Sequence, residues 1–212
     1  AQAVTRQTNP IGRSMIEMLG VLAIIGVLSV GGIAGYSKAM NKFKTNKVAD
    51  NVSMIVTNIR TLYAQQNNYA GLNNITAIQM GVVPDELGTD ATSGTLTNAF
   101  LGGVNIGTAT VTSLDAGTSG ANRGFFLTMN GLTKEACVTL AANDWGSGYS
   151  AGYVGMTVSG SAQTSYSTSF AVNCTDRGAS KWCASQGPMQ VSQAATGCSA
   201  TGNTNSITWV FY

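Results

Sequence analysis

One carboxylate stands where a carboxylate is costly. Glu17 lies at the edge of an apolar run, residues 18–36 (MLGVLAIIGVLSVGGIAGY), that contains no charge. Carried toward the centre of a bilayer it would cost on the order of 2.5–3.5 kcal/mol, so it calls for a positive partner. Arg13, four residues earlier, falls on the same helical face and can supply one. Four cysteines, Cys137, Cys174, Cys183 and Cys198, form the second chemically capable group. No two of them have CxxC spacing and the chain has no histidine, so they read as two disulfides made in an oxidising compartment, not as metal ligands. Three connectivities are open at this point.

The other reactive types lead nowhere catalytic. Without histidine there is no Ser/His or Cys/His nucleophile pair and no imidazole base. Only Asp85 and Glu86 adjoin among the nine acids, and neighbours along a strand would face opposite ways, so the pattern argues against paired-carboxylate chemistry. The glycine-rich pieces GVNIG (103–107) and GSGYSAG (146–152) lack the context of a phosphate cradle and read as turns. Trp145, Trp182 and Trp209 could form a sugar-binding platform, but in a small sheet domain they read as core or subunit contacts. A net charge of +2 gives no footprint for nucleic acid. Nothing here calls for a cofactor, a metal or an enzyme.

The elements that position these residues follow from periodicity. The 19 uncharged residues match the length a helix needs to cross a bilayer core, and they continue directly into amphipathic sequence, unlike a removable signal peptide. Ala39, Met40, Phe43, Val48, Val52, Ile55, Val56, Ile59, Leu62 and Tyr63 recur at spacings of mostly three and four, one stripe of the same helix. The expectation is a helix over residues 15–66, about 75 Å long. Its first half needs lipid or other helices around it, and its second half packs one face on a head domain. Gly26, Gly31, Gly32 and Gly35 weaken the middle by about 1 kcal/mol each relative to Ala, so Gly31, Gly32 and Gly35 are candidates for local melting. Lys38, Lys42, Lys44 and Lys47 follow the apolar run and could meet acidic lipid headgroups, acids of neighbouring subunits or water. Counted as a positive-inside signal they would place the remainder in the cytoplasm, whereas the cysteines place it outside.

Downstream, residues 124–129 (GFFLTM), 152–158 (GYVGMTV) and 206–212 (SITWVFY) read as strands. Residues 133–143 read as a short helix with Thr133 as N-cap and its cysteine on the buried face, while 161–169 and 199–205 read as polar loops. The fold class is α+β, a long helix on an antiparallel sheet with disulfides at the edge. The organisation expected is a leader or N-terminal extension over 1–14, the long helix over 15–66 with its apolar anchor at 18–36, and a head domain over 67–212.

Gly12-Arg13-Ser14-Met15-Ile16-Glu17 followed by MLGVLAIIGVL resembles the prepilin-peptidase signature of type IV pilins: a glycine, the cut, four residues, then glutamate within an apolar helix. In that family the leader is removed after the glycine, the new amino group is methylated, and the glutamate neutralises a neighbouring subunit's terminal amine during assembly. The resemblance implies processing between Gly12 and Arg13 and makes Glu17 the assembly carboxylate. Arg13 departs from the apolar residue the family prefers at the first mature position. Thr97-Asn98-Ala99-Phe100 with Gly102-Gly103, Phe125-Phe126-Leu127-Thr128 and Leu132–Leu140 are similar to segments of type IVb pilins, the bundle-forming group above all. That class implies a bond between Cys137 and Cys198. The pairing favoured for the others, Cys174 with Cys183, has no counterpart in the family.

What the resemblance implies for function is a major pilin. It would wait in the inner membrane, be processed by prepilin peptidase, and be polymerised by the pilus machinery into an extracellular filament for adhesion, aggregation or conjugation. The alternatives are a minor pilin or secretion pseudopilin, or a monomeric membrane-anchored glycan-binding protein.

Overall fold

The computed structural model describes residues 10–66, 68–112, 119–146, 152–166, 170–171 and 174–212, with side chains described from residue 14 onward and not at 112 or 119–121. Two compact units divide the chain, one ending at Lys42 and the other running from Phe43 to Tyr212. Helix α1 (Pro10–Tyr63) has 54 residues and no proline inside it, and it begins and ends a few residues earlier than periodicity suggested. The polar run after Tyr63, closed by a turn in which the Gln66 amide donates to the Tyr63 carbonyl, stops it.

The second unit starts with the amphipathic part of α1. Val48, Val52, Ile55, Val56, Ile59 and Tyr63 are all buried, the stripe that three-and-four spacing demands. They face a six-stranded sheet of order β4-β1-β2-β6-β3-β5. Its members are β1 (Val104–Thr112), β2 (Ser119–Leu132), β3 (Tyr153–Ser159), β4 (Phe170–Ala171), β5 (Lys181–Cys183) and β6 (Asn205–Phe211). The pairings are antiparallel except at one edge, where β4 runs parallel to β1 over two residues. That edge makes the sheet mixed where a wholly antiparallel one was expected.

Alternation along the central strands gives the sheet two buried faces. Phe125, Leu127 and Met129 on β2 and Ile207, Trp209 and Phe211 on β6 join the main core with α1. Val210 turns the other way, into a smaller cluster with Ala109, Val111, Val154, Phe170 and Cys183. Every residue of β6 is therefore buried. On that second face the hydroxyls of Thr128 and Thr208, opposite each other in register, hydrogen-bond at 2.7 Å.

Three short helices complete the unit. In α2 (Asn74–Gln79), Asn73 accepts from the Thr76 amide while the Thr76 hydroxyl accepts from the Asn73 amide, a reciprocal cap. In α3 (Lys134–Ala141), Thr133 caps the N-terminus and Cys137 is fully buried, bonded to Cys198 at the end of α4 (Val191–Gly197). The second disulfide joins Cys174 to Cys183 of β5.

Neutral amides tie these pieces together where few charges exist to do so. Asn74 donates to the Gly94 and Val104 carbonyls and accepts from the Ile106 amide, binding α2 to β1. Asn130 exchanges bonds with Gln163 and also donates to Gly103. Asn205, wholly buried, donates to the carbonyls of Leu132 and Ala200. In each case a buried backbone group that would cost about 1–3 kcal/mol if left alone is satisfied by an uncharged side chain.

Three sequence readings change in the light of this architecture. GVNIG is no turn: Gly103 bridges to Thr97 and the rest opens β1, where the hydrogen of Gly107 leaves room for the Phe126 ring. Asp85 and Glu86 lie in a single 3-10 turn (Asp85–Leu87), not on a strand. Asn205 belongs to β6 instead of the preceding loop. Residues 147–151 of GSGYSAG and 167–169 of the polar loop lie outside the described residues.

Candidate assembly surface

Residues 14–39 of α1 present every side chain to the outside. Thirteen large apolar side chains between Met15 and Tyr36 are more than half exposed, from 52% at Val21 and Ile25 to 76% at Val27. At about 1.5–3 kcal/mol for each side chain moved from water to an apolar surrounding, this segment is unfavourable in water by on the order of 20 kcal/mol. Among the described residues nothing covers it, and its own length and composition suit a membrane span.

Two of its hydroxyls are already accommodated. The hydroxyl of Ser29 donates to the Ile25 carbonyl at 2.7 Å, and that of Ser37 to the Ile33 carbonyl at 3.0 Å. Each hydroxyl is thereby satisfied one turn back within the helix itself. Gly31, Gly32 and Gly35 sit in unbroken helix, and a Cβ at any of them would meet nothing within 4 Å in this chain. No steric demand among the described residues explains these three glycines.

Glu17 is exposed on this segment, and among the described residues no ion pair reaches it. Gly12 and Arg13 lie in the first turns of α1, and the Arg13 side chain, the partner expected for Glu17, is outside the described residues.

The head carries features that the sequence did not disclose. Lys47 pairs with Glu86 at 2.5 Å, within the chain, and this hydrogen bond holds the Glu86 carboxyl below its ordinary range. Lys44 lies 5.9 Å from the centre of the Phe100 ring. These two of the four lysines thus find partners in their own subunit. Arg60, in the last turn of α1, donates to the Tyr212 carbonyl at 3.3 Å and lies 5.5 Å from the Phe211 ring. Burial pulls its pKa down, opposed by the nearby Tyr69 and Tyr212, and its Nε is buried without a hydrogen-bond partner. Gly152, at φ +63°, lets this guanidinium pass, because a Cβ there would lie 1.9 Å from Nη2. Beside Arg60 an open groove of about 170 Å³ is lined by Val52, Val56, Thr57, Trp145 and Phe211.

The tryptophans form no platform. Trp209 and Trp182 are buried, and Trp145 stacks edge-on against Trp209 with ring centres 5.0 Å apart. Cys174, Asp176 and Cys183 come together, but both sulfurs are bonded to each other and Asp176 pairs with Lys181 at 2.8 Å.

A tight turn ends in Leu101, a side chain 85% exposed whose φ of 64° is left-handed. For a branched apolar residue that conformation costs roughly 1–2 kcal/mol. Asn98 enforces it: its Oδ1 accepts from the amides of Phe100 (2.8 Å) and Gly102 (3.2 Å), its Nδ2 donates to the Asn130 carbonyl (2.7 Å), and its carbonyl accepts from the Leu101 amide (2.9 Å). Gly102 then runs so close to β2 that a Cβ would sit 1.8 Å from the Asn130 carbonyl oxygen.

Comparison with known proteins adds to this geometry. A family model described as PilS N terminal matches residues 42–212. The major structural subunit of bundle-forming pilus from Escherichia coli O127:H6 is 30% identical over 198 residues, 93% of this chain and 92% of that protein. The toxin coregulated pilin of Vibrio cholerae serotype O1 is 27% identical over 142 residues, 65% of this chain and 59% of its own. Among solved structures, a type IV b pilin from Salmonella typhi superposes with a TM-score of 0.48 at 22% identity, over 76% of this chain and 94% of that one.

Proposed function

Because this chain belongs to the PilS family and is a type IVb pilin, a structural subunit of a pilus, we propose that it polymerises through the apolar half of α1 into an extracellular filament. The observation that carries the reading is the exposed apolar surface of residues 14–39, which none of the described residues covers. Before assembly that surface lies in the lipid of the inner membrane. Afterwards it lies among identical helices in the filament core, where apolar contact replaces what the acyl chains supplied. Each step exchanges one greasy surrounding for another, so the machinery must lift the subunit out, but the product does not fall apart.

Prepilin peptidase cuts between Gly12 and Arg13 in this proposal, and Glu17 then sets the register of the helices. A carboxylate entering the filament core without a positive partner is strongly disfavoured, so only the axial offset that brings an amine or guanidinium to Glu17 is accepted. Gly31, Gly32 and Gly35 lower the local helix stability by about 1 kcal/mol each, which lets α1 loosen there as neighbouring helices close in. The test is Glu17→Ala in a piliated strain. The expected result is a stable membrane-held subunit with few filaments in sheared material; wild-type piliation would overturn the register role.

A further inference from the structure

We propose that Leu101 is the knob of a head-to-head contact between successive subunits, seated in the groove that α1 forms with Trp145 and Phe211 on the next copy. The inference rests on the pilus reading and adds to it the residues that join the heads. Three observations lead to it. Leu101 is the most exposed large apolar side chain described in the head, and the turn holds it in a backbone conformation that leucine disfavours. Strain of this kind persists only when the surroundings enforce it, and here the four hydrogen bonds centred on Asn98 do so. The result is a short, stiff apolar tip projected from the surface.

The same chain carries a receptacle of suitable size and chemistry. The groove of about 170 Å³ has a floor of Val52, Val56 and Phe211 and a wall of Trp145, with Thr57 at the rim. Arg60 closes its end, beside the Phe211 ring.

Knob and groove cannot meet within one subunit. Gly102, next to the knob, abuts Asn130 of β2, whereas Phe211 of the groove pairs with Phe125, five residues back along the same strand. At about 3.4 Å per residue, they are separated by about 17 Å along β2. Two different patches on one molecule, displaced from each other, can join copies head to tail, and where the rotation does not close a ring such a contact repeats into an open helical polymer, the kind of assembly the pilus reading requires. The occupant of the groove is the Leu101 turn of a second copy.

The experiment uses the full chain in a strain that builds filaments. Leu101→Asn removes the apolar tip while favouring the left-handed backbone, so the detergent-solubilised subunit should melt at the wild-type temperature or slightly above it. Its yield of sheared filaments should fall at least fivefold. In filaments carrying Leu101→Cys together with Thr57→Cys, mild oxidation should give a ladder of covalent multimers that neither single variant gives. Wild-type filament yield from Leu101→Asn, or the absence of a ladder from intact double-variant filaments, overturns the contact and leaves the pilus reading standing. Failure of the unaltered chain to enter any filament overturns the pilus reading and the contact with it.

Discussion

The two halves of α1 share one backbone conformation and live by opposite rules. Residues 18–36 of the helix carry no charge, and the hydroxyls of Ser29 and Ser37 bond back to carbonyls one turn earlier. From Phe43 onward one stripe is buried, completely so at Val48, Val52, Ile55 and Ile59, and the opposite face is exposed. The difference teaches that helix formation and environment are separable. The first half is exposed on all sides among the described residues, while the second half packs on the sheet and on residues 82–100 of its own unit. Specific packing belongs to the head, and adaptability belongs to the anchor.

Breaking the head should leave the anchor unaffected. Replacing Cys137 by Ser opens a loop whose ends lie 61 residues apart, worth about 4 kcal/mol in the chain-entropy account, against about 3 kcal/mol for Cys174 and its separation of 9. Thermal melting of the subunit in detergent should show the larger loss for Cys137→Ser, with reduced abundance in the periplasm and unchanged retention in the membrane. Loss of membrane retention on reducing the head would break the comparison.

Asn98→Ala is the next largest. It strips hydrogen bonds from the Phe100 and Gly102 amides and from the Asn130 carbonyl, and a cost of about 2–3 kcal/mol is expected from buried groups left alone. Urea unfolding should show it as a lowered midpoint at unchanged slope.

The smallest effect sharpens the contrast from the side of charge. Because the Glu86 carboxyl is held below its ordinary range in the folded head, its contact with Lys47 stabilises at neutral pH. That contribution is complete above the carboxyl's unfolded value and is lost as the pH falls through the lower folded one. Both partners are partly open to solvent, so the gain is under about 1 kcal/mol. The difference in melting temperature between the wild type and Glu86→Gln should be measurable at pH 7 and vanish in strong acid. A difference that grew on acidification would contradict the pairing.

Much of this molecule is legible from periodicity, and what is missed has physical reasons. The α1 stripe, the strands around Phe125, Met156 and Trp209, and the Thr133-capped helix are long or strongly patterned enough to be read directly. Helices α2 and α4, with 6 and 7 residues, are too short for a periodic signal, although Asn73 and Thr76 did hold the spacing of a reciprocal cap. The start of β1 was hidden by Gly103 and Gly107, of which Gly107 serves ring packing against Phe126, not turning. Contacts such as Lys47 with Glu86, or Arg60 with the Tyr212 carbonyl, join residues remote in the chain, and no local pattern announces them. The strain at Leu101 is of the same kind, since a leucine codes for no left-handed turn and only the Asn98 amide, placed by β2, imposes it.

The asparagine amides that wire the head carry a consequence for the medium in which it works. Dissolved ions weaken attraction between opposite charges within a Debye length of about 8–10 Å, but they have little purchase on bonds between neutral dipoles shielded from water. A chain with 9% charged residues, whose β1, β2 and β6 are linked through Asn74, Asn130 and Asn205, therefore holds its shape in brine much as it does in fresh water.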